Sequence, residues 1–409
     1  MKYVIIGNST AAVGCIEGIR SVDKDGKITV ISDEKHHTYS RPLISYLLLG
    51  KTDEQKMKYR PDSFYEDNKC ETLFGEKVTA IEPDKKRVVL ESGKSVEYDK
   101  LLTATGSRPF VPPMEGLESV KKSFTFMSLD DAHALGKELA PDKKVLIVGA
   151  GLIGLKCAEG ICDRVGSITV VDLADRILPS ILDTEGSKLV QKHIEKKNIS
   201  FILSDSVKKF TDTHAELASG KELDFDILVV AVGVRPNTEL VSEAGGKVNR
   251  GIVTNEFMQT TVNDVYAAGD CCESFDISSG QNKIIAILPN AYMQGECAGR
   301  NMAGEKKAFD KAMPMNAIGF FGLHIITAGS YDGDVSSEAS ESGYKKFVTK
   351  DNRLVGYILI GDVMRAGIYT SLIREKTPLD TIDFELIKEK PQLMAFAKDV
   401  RAQKLGTKR

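Results

Sequence analysis

Two stretches of the chain repeat one pattern of apolar and polar positions. Each opens on a short β-branched run, passes through a turn of small residues, continues with apolar positions at helical spacing, and closes on a second β-branched run that ends in an acid. In the first, Lys2-Tyr3-Val4-Ile5-Ile6 leads into Gly7-Asn8-Ser9-Thr10-Ala11-Ala12. A helix is expected to about Val22, and Lys27-Ile28-Thr29-Val30-Ile31-Ser32 then precedes Asp33 and Glu34. In the second, Lys144-Val145-Leu146-Ile147-Val148 leads into Gly149-Ala150-Gly151-Leu152-Ile153-Gly154, a helix is expected to about Val165, and Ser167-Ile168-Thr169-Val170-Val171 precedes Asp172. Apolar runs without alternation are those of parallel strands buried on both faces. The pattern therefore predicts an α/β chain built on an internally duplicated βαβ unit. A further buried strand breaking into a turn follows each copy: residues 98–109, with Ala104-Thr105-Gly106-Ser107-Arg108-Pro109, and residues 226–237, with Ala231-Val232-Gly233-Val234-Arg235-Pro236-Asn237. A third such strand and turn, residues 262–270, ends in Gly269-Asp270 ahead of Leu288-Pro289-Asn290.

The turn residues carry the chemistry. Gly149 permits a tight turn, Gly151 allows a backbone to approach a pyrophosphate, and Gly154 lets helix and sheet pack closely, so the helix N-terminus faces the phosphates. In the first copy Ser9 and Ala12 are small enough to stand at the second and third positions. A lone glycine motif is weak evidence, but two copies bracketed by strands and each followed by an acid make two dinucleotide sites the expected reading. Asp172 can accept hydrogen bonds from a ribose diol and repels a 2′-phosphate, which favours NADH over NADPH; Arg176, four residues on, is the feature that could meet such a phosphate. Asp33 or Glu34 has the corresponding part in the first copy, and the pattern does not choose between them. Asp270, closing a buried strand beside a helix, is placed to hold a polyol.

Composition narrows the class. A chain of 409 residues is long enough for two to three domains with their own cores. Apolar residues at 42% and charged residues at 28% exclude collagen-like, coiled-coil and disordered classes. The net charge of −3, from 55 basic and 58 acidic residues, gives no footprint for a nucleic-acid partner. No run reaches the roughly 18 apolar residues of a membrane span, and the chain starts on a strand-like run without signal-peptide character, so a cytoplasmic location is expected. The seven cysteines are odd in number and lack C-x-x-C spacing, as expected of reduced thiols. Cys157 and Cys162 would point about 140° apart on an intact helix, too poorly aligned for a disulfide. His36-His37 has no companion at ligand spacing, so no metal site is assigned and a surface loop is expected.

These residues resemble the FAD-dependent pyridine-nucleotide oxidoreductases, in which a NAD domain interrupts the FAD domain, over about residues 1–310. Within that superfamily the stretch 28–42, with Tyr39-Ser40-Arg41-Pro42, looks most like the NADH:rubredoxin reductases and the flavoprotein part of assimilatory nitrite reductases. The resemblance implies a glutathione-reductase-like α/β fold: two Rossmann-like FAD and NAD(P) domains plus a small α+β C-terminal domain. The implied boundaries are 1–113 for the first part of the FAD domain, 114–245 for the NADH domain, 246–312 for the rest of the FAD domain, 313–380 for the small domain and 381–409 for a C-terminal helix and tail. It assigns FAD to Gly7, Ser9, Thr10, Ala11, Ala12, Asp33, Glu34, Arg41, Pro42, Val78, Ala104, Thr105, Gly106, Arg108, Gly269, Asp270, Pro289 and Asn290. NADH falls to Gly149, Gly151, Leu152, Ile153, Gly154, Asp172, Ala231, Val232 and Gly233. Disulfide reductases of the superfamily place a redox cysteine on the segment here occupied by residues 41–47, which contains none. Ferredoxin-reductase relatives carry a lysine and a glutamate where this chain has Tyr46 and Lys156. Both members of that ion pair are changed together, which makes Lys156 a candidate charge near the flavin and nicotinamide.

The remainder is expected to hold a hairpin through Lys350-Asp351-Asn352-Arg353 followed by a helix over 365–375, with residues 336–343 as a polar loop. Pro391 with Leu393, Phe396 and Val400 predicts one amphipathic helix. Residues 388–409 carry seven basic and two acidic side chains, a surface for an acidic electron carrier or, more simply, a solvated basic tail. The expected activity is NADH oxidation through FAD to a small redox protein, a rubredoxin or a ferredoxin-like iron–sulfur protein. The alternatives are an electron-input subunit of a larger reductase, a peroxide-forming NADH oxidase, and a flavin-bound protein that senses NADH without turnover.

Overall fold

The computed structural model describes residues 1–406. They group into two compact units, one of residues 1–177, 195–275 and 281–312, the other of residues 178–194, 276–280 and 313 onward.

The first unit holds both copies of the repeated motif. Strand β1 (Lys2–Ile6) pairs in parallel with β2 (Lys27–Ser32) on one side and with Lys100–Thr103 on the other; Cys70–Phe74 and Val265–Ala267 complete a five-stranded sheet. Helix α1 (Thr10–Val22) covers it, with ten of its thirteen residues buried. The second copy repeats the scheme: Lys144–Val148 lies between Ser167–Asp172 and Ile227–Val230, again in parallel, with Ile199–Leu203 and Ser123–Phe124 at the edges. Its helix runs Leu152–Ile161 and ends in a tighter turn over Cys162–Arg164. Two segments that the sequence presents as matching ends of the copies pair with each other, Ser107–Pro109 lying antiparallel to Val234–Pro236. The turns that follow the two units are thereby brought side by side.

The second unit is built on a five-stranded antiparallel sheet. The hairpin of Tyr344–Lys350 and Arg353–Ile360 forms as expected, and the following helix is Gly367–Arg374. Residues 336–343 are not simply a loop: Asp334–Ala339 is an edge strand paired with Tyr344–Lys350. All six of its residues are exposed, so no apolar alternation marks it in the sequence. The single helix expected from Pro391 is also corrected. A short turn, Leu393–Ala395, and a helix, Lys398–Leu405, are separated by an extended Phe396. Leu393, Phe396 and Val400 still pack on one core, so their spacing reported burial rather than helical continuity. The last three residues of the basic tail lie outside the described residues. Helix Thr184–Ile194, within the span expected for the NADH domain, belongs to this second unit. Asp183 ahead of it accepts hydrogen bonds from the Tyr344 hydroxyl at 2.7 Å and Lys346 Nζ at 2.9 Å. Among the described residues no helix is long and apolar enough to cross a membrane, and no group of three or more His, Cys, Asp or Glu is placed to hold a metal ion. All seven cysteines are free thiols.

Candidate functional site

A cleft of about 780 Å³ opens at the C-terminal ends of the first sheet's strands. Its floor is the turn from β1 into α1. Gly7 has φ +110°, and a Cβ there would stand 2.2 Å from the Ala104 carbonyl oxygen, so only glycine makes the turn. Gly7, Ser9, Thr10, Ala11, Asp33, Glu34, Arg41, Val78, Ala104, Thr105, Gly106, Arg108, Gly269 and Asp270 all line it. Ala12 is fully buried beneath the turn. Pro42 and Pro289 are exposed at the starts of their helical turns and Asn290 is buried, while Leu288 and Ala291 line the cleft from helix Leu288–Met302.

Asp33 and Glu34 separate clearly. Asp33 is exposed at the rim, whereas both carboxylate oxygens of Glu34 are engaged, one by Arg41 and the other by the Tyr39 hydroxyl at 2.8 Å. Burial works against the Arg41 charge, but Tyr39 and Glu34 carry its pKa above the usual value. Burial pushes the Asp270 carboxyl up, with Arg41 and Ser107 opposing. The Thr105–Asn237 pair closes one wall: Thr105 Oγ1 donates to the Asn237 carbonyl at 2.7 Å, Asn237 Nδ2 donates back at 2.8 Å, and Arg108 donates to Asn237 Oδ1 at 2.7 Å.

The residues present fit a dinucleotide. An unfilled glycine turn and a helix N-terminus form the floor of the cleft, and the exposed Asp33 stands in its lining. A buried polar atom of its lining, His37 Nε2, has no hydrogen-bond partner within the chain. A buried polar group without a partner costs about 1–3 kcal/mol, and a polar ligand removes that cost. His37 and its neighbour His36 lie on a loop, as expected, and that loop is half-buried and lines the cleft. His36 pairs with Asp130 at 2.8 Å, and the His37 ring packs edge-on against Tyr65, whose hydroxyl donates to Asn8. Nothing in the local sequence signals this, because the contacts come from helices elsewhere.

The second glycine turn is built alike and lies outside that cleft. Gly149 has φ +117°, and its Cβ would fall 2.3 Å from the Ala231 carbonyl. A Cβ at Gly151 would meet nothing within 4 Å, which leaves the open approach a pyrophosphate needs, and one at Gly154 would meet the Gly149 carbonyl at 2.0 Å. Asp172 Oδ2 accepts from Ala150 N at 2.6 Å and Oδ1 from Ala174 N at 2.8 Å, so the acid orders the turn as well as facing it. Leu152 and Ile153 open the helix, and Ala231, Val232 and Gly233 form the facing turn after strand Ile227–Val230. Arg176 is paired with Asp175 at 2.7 Å.

Lys156 does not line the cleft. It forms an ion pair with the buried Glu159 one turn on and lies 4.8 Å from the centre of the Tyr46 ring. The helix Ile44–Leu48, which follows Arg41, meets the helix of the second glycine turn here: a Cβ on Gly160 would come 2.8 Å from the Ser45 carbonyl. The two positions that differ together from ferredoxin-reductase relatives are thus in contact.

Residues 1–295 match the pyridine nucleotide-disulphide oxidoreductase family, and residues 314–377 match the rubredoxin NAD+ reductase C-terminal domain. The epsilon subunit of NADH-dependent phenylglyoxylate dehydrogenase from Aromatoleum evansii is 31% identical over 391 residues, 92% of each chain. Nitrite reductase [NAD(P)H] from Bacillus subtilis (strain 168) is also 31% identical over 92% of this chain, which spans about half of that relative, 48%. Among solved structures, the covalent putidaredoxin reductase–putidaredoxin complex superposes with a TM-score of 0.88 at 24% identity, over 95% of this chain and 96% of the other, a likeness of fold.

Proposed function

Because the chain belongs to the pyridine nucleotide-disulphide oxidoreductase family, we propose that it is an FAD-dependent NADH oxidoreductase that passes electrons to a small rubredoxin or ferredoxin-like iron–sulfur protein. The observation that carries the reading is the pairing in one compact unit of a cleft of dinucleotide character and a second, open glycine turn, with no cysteine in residues 41–47. FAD occupies the cleft, with Asp33 taking a ribose diol, Asp270 the polyol chain, and the first turn of α1 the phosphates. NADH binds at Gly149, Gly151 and Gly154 with Asp172 at its ribose. The bound flavin supplies the acceptance of hydride and the release of electrons; the chain supplies orientation, burial and charge. Lys156, paired with the buried Glu159 and set against Tyr46 where the helices of the two nucleotide units meet, would act on the flavin and nicotinamide through that helix contact rather than as a free charge in the cleft. A Lys156→Met protein with unchanged flavin potential and NADH reduction rate would remove that role. Seven free thiols and the absence of a membrane-length helix among the described residues support a cytoplasmic enzyme.

Anaerobic titration with NADH, followed by oxidised rubredoxin or ferredoxin, tests the reading. The flavin absorption should bleach with NADH and recover on adding the redox protein; absence of bleaching would overturn the NADH assignment. Likeness to the dehydrogenase epsilon subunit and to nitrite reductase favours a second reading, an electron-input subunit. Bleaching without recovery would select it.

A further inference from the structure

The chain enters the second nucleotide unit through its edge strand Ser123–Phe124, and the cleft wall holds the crossing segment that follows, residues 125–131. Helix Leu129–Glu138 begins with first-turn N–H groups that have no partner inside the helix. Ser128 and Asp131 satisfy some of the donors around it. Ser128 Oγ accepts from Asp131 N at 3.0 Å, and Asp131 Oδ2 accepts from Met127 N at 2.8 Å and Ser128 N at 3.0 Å. Leu129 N–H donates instead to the hydroxyl oxygen of Tyr39, 3.0 Å away and 90 residues back in the chain.

Tyr39 is 7% exposed and lines the cleft. An amide can only donate, so the hydroxyl oxygen accepts from Leu129 and its proton goes to Glu34 Oε2 at 2.8 Å. Glu34 is also paired with Arg41, whose guanidinium lies 5.3 Å from the Tyr39 ring centre and donates to the Met127 carbonyl at 3.4 Å. Two side chains of the cleft wall therefore grip two backbone groups of the crossing, and Glu34 connects them. Burial pushes the Tyr39 phenol pKa up, so the donor proton stays on it through the neutral range.

We propose that Tyr39 is a positioning residue for electron transfer from NADH: its hydroxyl ties the flavin-nucleotide cleft to the first turn of the helix that follows the edge strand of the NADH unit. Glu34 is committed to this tie, and the ribose carboxylate is Asp33. The inference rests on the reading that the cleft holds FAD and the second glycine turn NADH.

Tyr39→Phe keeps the ring under Arg41 and removes only the hydroxyl. In the FAD-loaded protein three quantities decide the matter: the FAD dissociation constant, hydrogen–deuterium exchange of peptides spanning residues 125–135, and the limiting rate of flavin reduction at saturating NADH. The expected result is FAD affinity within about twofold, exchange at the helix start faster by about tenfold, the equivalent of one buried hydrogen bond, and a several-fold lower limiting rate. Asp33→Asn should do the reverse, weakening FAD and leaving exchange unchanged. Unchanged exchange in Tyr39→Phe would overturn the tie, and faster exchange with an unchanged limiting rate would overturn the positioning role. A wild-type protein that NADH does not reduce would sink the functional reading and the positioning role with it, while the exchange comparison would still decide whether the tie exists.

Discussion

The two nucleotide units share a register and differ in their cover. In both, a central strand lies between two parallel neighbours, and the turn glycine adopts nearly the same left-handed conformation, φ +110° at Gly7 and +117° at Gly149. Over the first, helix Leu288–Met302 packs so closely on α1 that a Cβ at Gly295 would stand 1.9 Å from the Ala11 carbonyl. Over the second, the rim is open, with Leu173 75% and Val232 36% exposed. One motif thus yields a cleft walled by a second helix in one place and an accessible ledge in the other. The difference comes from what is packed on top, and it suits a resident cofactor in the first and an exchanging substrate in the second.

The largest effect that would test this contrast lies under the first cover. Gly295→Val should cost about 3 kcal/mol by overpacking the helix pair, read by chemical denaturation, with loss of bound FAD. If Gly151→Ala in the second turn, where a Cβ would meet nothing within 4 Å, cost as much, the contrast would fail. Asp270→Asn should weaken FAD about 10–100-fold, the worth of hydrogen bonds to a charged group, by fluorescence titration. The same change should stabilise the apoprotein at neutral pH. The Asp270 pKa is raised above its usual 3.8 by burial, so the folded apoprotein is favoured with the acid protonated and loses stability as pH rises from 3.8 through the raised value. A flatter pH profile in Asp270→Asn checks the sign. Asp172→Ala should raise the KM for NADH by about tenfold, a loss of about 1.4 kcal/mol, and leave FAD content unchanged; loss of FAD would couple the sites more tightly than their separate covers imply. The smallest effect is expected at Cys162→Ser, within about 0.5 kcal/mol in stability and without change in flavin reduction. A slower reduction would bring a thiol back into the electron route.

Much of the site was legible because its parts are local. The Gly7 and Gly149 turns depend on backbone conformation within a few residues, and the strands around them are apolar without interruption. Asp270 was marked by its place at the end of a buried strand, while Arg41 and Thr105 came from resemblance rather than from local pattern, since they reach the cleft only through the sheet order. Where the choice depended on partners far along the chain, the pattern was silent. Asp33 and Glu34 are adjacent acids, and only Arg41 and Tyr39 distinguish them. His36 and His37 read as a surface loop until Asp130 and Tyr65 are brought to them.

The sequence by itself determined that there are two βαβ units with phosphate-binding turns, a terminal hairpin and helix, and no cysteine in residues 41–47, because each of these is written in residues near one another. The tertiary structure alone decided that the turns after the two units pair with each other and that Asp334–Ala339 is a strand. It also decided that Thr184–Ile194 joins the C-terminal unit, that Lys156 meets Tyr46, and that Tyr39 reaches Leu129. Each of these depends on which distant group supplies a missing hydrogen bond or covers an apolar face, and that is settled only when the whole chain packs.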